Sequence, residues 1–393
     1  MKINDRIYHV GVNDVVKDLF EGLWPLPYGV SYNSYIIVDE KIALIDTVEA
    51  GFEDEFLDEI KASIGERDID YLVVNHMEPD HSSLVAYMLE TYPSLKIVAN
   101  AKTVPMLKGY HNTPEDRIVV VADGESMSLG TSTLHFHMIP MVHWPETMVT
   151  YLEEEQTLFS GDAFGTFGAV NEMVVDESDT FENYQDEMIR YYSNIVGKYG
   201  APVQAALKKL AGLQIGRICS THGPVWEKNV SQVVSLYDKL SRYEVERGVC
   251  IVYGSMYGNT AAAADALAEE LQVRGIPYAI HDLAGNNEEG LGLSGALRDV
   301  FKYDTIVVGS PTYNGAIYPP VETFMRALSS RMIKGRRFYA FGSYTWAAAS
   351  VKLLNVMANE MNFNILGDGL SFPQAYTQEK CDMTVVADLI QGI

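Results

Sequence analysis

The chain has 393 residues, of which 47 % are hydrophobic and 21 % charged, values typical of globular proteins. This length is too great for one ordinary domain and predicts two, each large enough to bury its own core. The formal net charge of −24 at pH 7 argues against nucleic acid and anionic membranes as partners, because both would repel the protein.

The three cysteines, Cys219, Cys250 and Cys381, lie far apart and form no CxxC pair. They are interpreted as small buried apolar residues, so no disulfide framework, zinc ribbon or fused rubredoxin is predicted. No apolar run approaches the roughly 18–20 residues of a membrane helix, and the N-terminal "MKINDRIYHVGVND" lacks the apolar core of a secretory signal. A cytoplasmic location is therefore expected.

The predicted elements divide the chain near residue 246. Before this point, strand-like runs such as "YLVVN", "KIVAN" and "LHFHMIP" alternate with helical patterns at 52–63, 82–92, 180–211 and 229–243. After it, the rhythm is regular, and the strands "VCIVYGS", "PYAIHDL", "DTIVVGS" and "RRFYAFGS" alternate with helices at 259–274, 292–301, 319–329 and 349–361. We predict an α/β domain over residues 1–246 and a doubly wound parallel sheet over 247–393.

The loop "NHMEPDHSS", residues 75–83, contains four candidate metal ligands, His76, Glu78, Asp80 and His81. It follows a buried-strand pattern, and ligands often lie at this end of strands in α/β proteins. A solvated polar loop is the alternative interpretation. Three isolated candidates also follow apolar runs: His143 in "MVHWPET", Asp162 in "LFSGDAFG" and His222 in "CSTHGPVW". One rim of a sheet could gather all seven residues.

This arrangement resembles the metallo-β-lactamase superfamily, whose usual loop is HxHxDH. Glu78 replaces the second histidine, and the resulting HxExDH pattern is similar to that of the flavodiiron proteins, also called A-type flavoproteins. Zinc sites favour imidazole and thiolate ligands, whereas a carboxylate adds the hard oxygen character that suits iron. A redox metal is therefore favoured over zinc.

The resemblance implies a ligand set for two iron ions. One ion would be bound by His76, Glu78 and His143, the other by Asp80, His81 and His222, with Asp162 as the bridge. The remaining histidines match nothing in the motif; two of them, His135 and His137, alternate on one strand and are interpreted as structural.

The second half contains three candidate cofactor loops. In "YGSMYGNTAAAADALAEEL", a loop of small and hydroxyl residues precedes a helix, and such a helix N-terminus favours a phosphate. An ordinary strand-to-helix turn is the alternative. The loops "GSPTYNGAIYPP" and "GSYTWAAAS" place aromatic residues beside Gly and Ser, which suits a flat ring at the switch point of the sheet.

These loops resemble those of flavodoxins, whose cofactor is FMN. The resemblance implies that the phosphate is held by Ser255, Met256, Tyr257, Gly258, Asn259 and Thr260. It implies that the isoalloxazine is bordered by Pro311, Thr312, Tyr313, Asn314, Gly315, Ser343, Tyr344, Thr345 and Trp346. Flavodoxin contacts are largely made by the backbone, so these segments are predicted rather than particular side chains.

The two resemblances together imply an N-terminal metallo-β-lactamase-like αββα sandwich followed by a flavodoxin-like doubly wound sheet, the minimal flavodiiron architecture. They imply an oxidoreductase that reduces dioxygen to water, nitric oxide to nitrous oxide, or both, at a non-haem diiron centre fed by FMN. Tyr192 in "RYYSNI" is a candidate for placing a phenol near the gas, with core packing as the alternative. A zinc-dependent hydrolase fused to a flavodoxin module and a non-enzymatic electron carrier or gas sensor are the competing hypotheses.

The expected partners follow from what the chain lacks. Without a CxxC pair it needs a separate electron donor, a rubredoxin-like protein or a reduced deazaflavin, and the basic segment "KGRR", residues 334–337, is a candidate docking patch. The connection "SQVVSLYDKLSRYEVERG" is a predicted helix with a short turn, not a flexible linker. The two sites of one chain are therefore expected to be far apart. A head-to-tail homodimer, alone or as a dimer of dimers, would bring them together.

Overall fold

The computed structural model of the protein describes residues 1–170, 174–285 and 290–392. Contacts between Cα atoms divide the chain into two compact units. The first comprises residues 1–20, 28–192 and 199–241, and the second comprises 21–27, 193–198 and 242–393. Within the described ranges, no helix is both long enough and apolar enough to cross a membrane. The boundary between residues 246 and 247 stays a prediction.

The first sheet comes from the N-terminal part of the chain. Its strands lie in the order β1-β6-β7-β8-β9-β10, antiparallel from β1 to β7 and parallel from β7 to β10. In chain order, the elements up to residue 121 are β1 (Ile7–His9), β2 (Val12–Asp14), β3 (Leu19–Phe20), β4 (Trp24–Pro25), β5 (Val30–Tyr32), β6 (Tyr35–Val38), β7 (Ile42–Ile45), α1 (Glu53–Ile64), β8 (Tyr71–Val73), α2 (Pro79–Ser82), α3 (Val85–Thr91), β9 (Lys96–Asn100), α4 (Thr103–His111), a 3-10 helix (Glu115–Arg117) and β10 (Ile118–Val121).

The second sheet has the order β11-β12-β13-β14-β15, with only the β14–β15 pair parallel. In chain order, the elements from residue 126 to 241 are β11 (Ser126–Ser128), β12 (Thr133–Met138), β13 (Met148–Leu152), β14 (Thr157–Gly161), α5 (Thr180–Tyr191), a π-helical segment (Tyr192–Val196), α6 (Gly200–Leu210), β15 (Arg217–Ser220) and α7 (Val230–Ser241).

The two sheets pack face to face around one apolar core. Side chains from both contribute to it, for example Ile37 and Val98 from the first sheet and Phe136 and Phe159 from the second. Helices α1 and α4 contact strands of the first sheet, and α6 and α7 line an apolar cavity together with Val149 of β13. The predicted αββα sandwich is confirmed.

Strand β12 illustrates how the pattern sets the face. Leu134 and Phe136 are buried in the core, whereas His135 and His137 alternate with them and point to the other face. His135 pairs with the exposed Glu153 at 3.0 Å, as a structural surface histidine would.

The helical pattern predicted over 180–211 is divided in the structure into two α-helices with a π-helical segment after the first. Helix α5 ends at Tyr191, and α6 begins only at Gly200. Pro202 lies in the first turn of α6. Proline is tolerated there because the backbone N–H groups of the first turn have no hydrogen-bond partner within the helix. A new helix therefore has to begin just before it.

The second unit contains a parallel sheet in the order β17-β16-β18-β21-β22, with β23 also paired to β21. This order has the topology of a doubly wound flavodoxin-like sheet, as predicted. In chain order, its elements are β16 (Glu246–Tyr253), α8 (Asn259–Val273), β17 (Tyr278–Asp282), α9 (Gly292–Lys302), β18 (Tyr303–Gly309), β19 (Thr312–Tyr313), β20 (Ala316–Ile317), α10 (Pro319–Ser330), β21 (Arg337–Tyr344), α11 (Ser350–Glu360), β22 (Asn364–Ile365), β23 (Leu370–Pro373) and α12 (Met383–Gln391).

Candidate metal centre and cofactor cavity

The seven predicted metal ligands converge at one end of the sandwich, where strands of both sheets end. The loop after β8 and the short helix α2 supply four of them, and the others follow β12, β14 and β15. None of the seven is more than 8 % exposed. They are His76, Glu78, Asp80, His81, His143, Asp162 and His222. Two sheets, rather than one rim, therefore gather the set.

Asp162 lies at the centre of the cluster. Its Oδ2 atom is 3.4 Å from Nε2 of His76 and 3.1 Å from Nε2 of His143. Its Oδ1 atom is 3.2 Å from Nε2 of His81 and 3.5 Å from Nε2 of His222. The two carboxylate oxygens thus face two different pairs of histidines.

Each pair of histidines has its own second carboxylate. Oε2 of Glu78 lies 2.9 Å from His143 and 3.5 Å from His76. Oδ2 of Asp80 lies 3.2 Å from His222, and its Oδ1 lies 3.4 Å from His81. This division has the same membership as the two predicted iron sites. His81 also lies close to the first group, because its ligand atom is within 4.8 Å of those of His76, Glu78 and Asp162.

The donor atoms fit metal ions better than they fit one another. Within the described residues, Nε2 of His76, His81 and His222 and both oxygens of Asp80 have no hydrogen-bond partner, although all are buried. A buried polar atom without a partner is costly. Ligand atoms about 2.1 Å from a common ion lie about 3.0–3.5 Å apart, which is the spacing observed here. Imidazole and carboxylate groups are donor types that bind metal ions in proteins.

Without bound cations, the histidines would take up protons. Burial lowers the pKa of His143, but hydrogen bonds and charge from Asp162 and Glu78 together raise it to about 10. Burial similarly lowers the pKa of His222, and Asp162 and Asp80 raise it to about 9. The buried carboxylates therefore stabilise positive charge next to them, which either protons on the histidines or metal ions can supply.

Partners outside the cluster fix the orientation of two of its histidine rings. Nδ1 of His76 lies 2.7 Å from Oε1 of Glu146, which also accepts a hydrogen bond from the backbone N–H of Met77. Nδ1 of His222 lies 2.8 Å from the carbonyl oxygen of Ser31. Because both acceptors lack a proton, each Nδ1 carries one and each Nε2 keeps its lone pair for a metal.

A second layer supports the loop that carries four of the ligands. Oδ1 of the buried Asp46, the residue after β7, accepts a hydrogen bond from the backbone N–H of Asn75. The Asn75 side chain in turn accepts one from Thr150 of the second sheet at 2.7 Å. Burial raises the pKa of Asp46 to about 6 despite the opposing charge of His81. Sequence reasoning missed Asp46, Ser31 and Glu146, although Glu146 lies in the quoted segment "HWPET".

Two adjacent tyrosines differ in their surroundings. Tyr192, the predicted catalytic candidate, is buried and packs edge-on against Tyr237 with ring centroids 5.1 Å apart. The ring of Tyr191 lies 5.5 Å from that of His222. Burial raises the pKa of Tyr191 well above its usual value, and the charges of Asp162 and Asp80 add to this effect. Tyr191 therefore stays a protonated phenol beside the cluster, while a role for Tyr192 stays a prediction.

A cavity of about 360 Å³ lies where the strands of the second unit end. Every residue predicted to contact FMN lines it except Gly258 and Gly315, and Ala347 and Gln374 line it in addition. Two of its aromatic side chains are strongly exposed, Tyr257 at 89 % and Trp346 at 86 %. The volume lies within the usual range for small-ligand sites, and exposed flat side chains suit an aromatic ligand.

The loop before α8 is held by its own hydroxyl group. Oγ of Ser255 accepts hydrogen bonds from the backbone N–H groups of Gly258 (3.1 Å) and Ala261 (3.3 Å). Gly258 has a φ of +85°, a conformation that residues with a Cβ rarely adopt. The loop thus directs the N-terminus of a 15-residue helix at the cavity, as a phosphate-binding loop would.

Comparisons with known proteins agree with this geometry. The family described as ODP family beta lactamase matches residues 30–223, and the Flavodoxin family matches residues 251–384. An anaerobic nitric oxide reductase flavorubredoxin of Vibrio vulnificus is 32 % identical over 371 residues, 92 % of this chain and 73 % of that protein.

Two solved structures are similar over almost the whole chain. Rubredoxin oxygen:oxidoreductase from Desulfovibrio gigas has a TM-score of 0.92 at 28 % identity and covers 99 % of this chain and 97 % of its own. The flavodiiron protein from Giardia intestinalis has a TM-score of 0.92 at 27 % identity, with 99 % and 95 % covered. The predicted combination of a metallo-β-lactamase-like and a flavodoxin-like domain is confirmed.

The Glu146–His76 contact generates the first prediction. Glu146→Gln keeps the side chain's size but removes the charge that holds the His76 ring, so metal affinity should fall roughly 10–100-fold. The measurement is iron retained during titration with a chelator. Glu153→Gln, which changes an exposed carboxylate beside His135, is the matched control and should retain iron like the wild type. Equal iron affinity in both variants would contradict the orienting role of Glu146.

Proposed function

The chain belongs to the flavodiiron protein family, and we propose that it reduces dioxygen to water, nitric oxide to nitrous oxide, or both, at a diiron centre supplied with electrons by FMN. We propose His76, Glu78 and His143 as ligands of one iron and Asp80, His81 and His222 as ligands of the other. Asp162 is the proposed bridge. The FMN site is the cavity at the strand ends of the second unit.

The division of contacts around Asp162 carries this proposal. One buried carboxylate directs each of its oxygens at a separate set of two histidines and one further carboxylate. A single metal ion would need only one of these sets. Two equivalent sets joined by one carboxylate are suited to holding two ions close enough to act on one small molecule.

The chain's own residues then have distinct tasks. When bound, the two iron ions supply a binding site and electrons for the gas, and FMN supplies the electrons that follow. The seven ligands hold the metals in a buried pocket, and Glu146 and Ser31 fix the rings of His76 and His222. Tyr191, buried beside His222, is a phenol that stays protonated next to the cluster.

Glu78 favours iron over zinc in this site. Oε2 of Glu78 contacts Nε2 of both His143 and His76 and thus adds an oxygen donor to their set. Three carboxylates among seven ligands give more hard-donor character than the imidazole and thiolate sets that zinc prefers. A zinc hydrolase would also leave the flavin cavity without a use.

The electron donor is proposed to be a separate molecule, a rubredoxin-like protein or a reduced deazaflavin. All three cysteines are buried and free, which leaves no thiolate cluster of a rubredoxin in the described part of the chain. The segment "KGRR" gives little support to a basic docking patch. Arg336 is buried and donates to the carbonyls of Val300 and Tyr243, and Arg337 pairs with Asp304.

We further propose a cytoplasmic, head-to-tail homodimer in which the flavin of one chain serves the irons of its partner. The connection between α7 and β16 is short and consists of residues 242–245. So short a segment cannot act as a long tether that carries one site to the other. Sedimentation equilibrium that finds only single chains in the active enzyme would overturn the dimer.

A direct assay tests the proposed activity. The purified protein, loaded with iron and FMN, should consume dioxygen or nitric oxide when either proposed donor is supplied. The activity of Asp162→Ala should fall by more than the roughly 10–100-fold expected when a hydrogen-bond partner of a metal ligand is removed. Its FMN content should stay unchanged. His135→Ala, at a surface histidine outside the cluster, should keep full activity.

Two results would count against this activity. The first is two zinc ions per wild-type chain together with hydrolysis of a thioester or lactam, which would favour the hydrolase. The second is binding of either gas without turnover with any donor, which would favour a carrier or sensor.

The phosphate loop generates a further prediction. Gly258→Val places a β-branched residue at positive φ, which costs about 1–3 kcal/mol, so the loop should distort and the purified protein should lose its flavin absorbance. Ser255→Ala removes one hydroxyl but leaves the backbone donors, so most FMN should stay bound. Iron content should be normal in both. Equal flavin retention in the two variants would argue against a phosphate site at this loop.

A further inference from the structure

An apolar cavity opens to the solvent between α6, α7 and the second sheet. It has a volume of about 500 Å³ and contains Leu158, Leu213, Val230 and Val234 in its walls. Charged residues also line it, among them Glu227, which pairs with Arg217, and Lys228, which pairs with Glu177. The cavity is thus a mainly apolar pocket with a few charged residues in its lining.

A second cavity lies behind the first. Val142, Val149, Ala163, Val203 and Tyr237 are among its walls, and it exposes only apolar surface. Its volume of about 10 Å³ is at the lower limit for a single water-sized molecule. It is enclosed more fully than the outer cavity.

Three side chains border both cavities and form the partition between them: Phe164, Leu207 and Leu210. The two leucines are three positions apart on α6 and therefore lie on the same helix face. The Phe164 ring packs against Tyr237 with centroids 4.6 Å apart, and its carbonyl accepts a hydrogen bond from Trp226. Leu207 and Leu210 are thus the helical side chains that separate the two spaces.

Two residues in the wall of the inner cavity are chain neighbours of proposed metal ligands. Val142 directly precedes the ligand His143, and Ala163 directly follows the bridging residue Asp162. The line of two cavities therefore extends from solvent, across the leucine partition, to the backbone next to two of the proposed ligands. It approaches the centre from the side of the second sheet.

A passage lined mainly by apolar side chains favours small neutral molecules over charged solutes and water. Apolar cavities in proteins stay dry, yet they bind xenon and small apolar molecules. Charged solutes and water gain no hydrogen bonds there and pay the cost of desolvation. Dioxygen and nitric oxide are neutral diatomic molecules that lose little by leaving water.

We propose that this passage is the entry route of the gas substrate to the metal centre, with Leu207 and Leu210 as its gate. The inference rests on the proposed function and adds to it the path by which the substrate arrives. It assigns a task to residues that neither bind metal nor contact FMN.

Xenon tests the passage without any turnover. Crystals of the holoprotein under xenon pressure should show a xenon atom against Phe164, Leu207 and Leu210. Leu207→Trp should fill this space and abolish the xenon peak. Leu213→Trp is the matched control, because Leu213 is a half-buried leucine that lines only the outer cavity, and it should keep the peak. Absence of xenon from the wild-type cavities would overturn the proposal.

Kinetics test whether the gas uses this route. In Leu207→Trp, kcat/KM for the gas should fall about tenfold, equivalent to about 1.4 kcal/mol in the barrier to entry. The value of kcat at saturating gas, the iron content and the FMN content should match the wild type. Leu213→Trp should be unaffected. An unchanged kcat/KM in a folded Leu207→Trp that excludes xenon would show that the gas enters elsewhere.

The two proposals fail in distinguishable ways. If the wild type reduces neither gas, the proposed function is wrong. Xenon binding that Leu207→Trp abolishes and Leu213→Trp preserves would then still support a passage for apolar molecules.

Discussion

The structure depends on one buried carboxylate whose two oxygens face two different pairs of histidines. Asp162 is 1 % exposed, and Glu78 and Asp80 add two more carboxylates to the same pocket. Isolated negative charge in such a place is prohibitively costly, so the pocket requires compensating cations. Four histidines meet this demand by taking up protons when metals are absent, as the raised pKa values of His143 and His222 indicate. Two divalent ions would meet it better, because they would also satisfy the donor atoms that protons leave without partners.

The fold forms this pocket by bringing the ends of strands from two sheets together. Ligands that follow β8, β12, β14 and β15 meet because the sheets pack face to face over a common core. Contacts beneath them, such as Asp46 to Asn75 and Asn75 to Thr150, tie the ligand loop to both sheets. The pocket thus has polar support, whereas the proposed gas route behind Ala163 is lined by carbon.

The sequence could predict the ligands because their signals are local. HxExDH lies within six positions, and the other three ligands each follow an apolar strand, so a motif and a strand pattern suffice. The loops around the flavin cavity are predictable for the same reason. The partners of these histidines could not be predicted in this way, because they are distant in sequence. Ser31 is 191 positions from His222, and Glu146 is 70 positions from His76. Only the packing of the sheets brings these pairs together. Helix α12 and strands β22 and β23 were missed because short C-terminal elements take their stability from packing on the sheet, as Met383 and Phe372 do in the core.

The central claim is that Asp162 bridges two iron ions. Anomalous diffraction from crystals of the purified protein, measured on both sides of the iron and zinc absorption edges, tests it most directly. The account predicts two iron peaks about 3.5–4 Å apart, one bonded to Oδ2 of Asp162 and the other to Oδ1. A single metal peak, two zinc peaks, or two iron peaks with Asp162 bound to only one of them would contradict it.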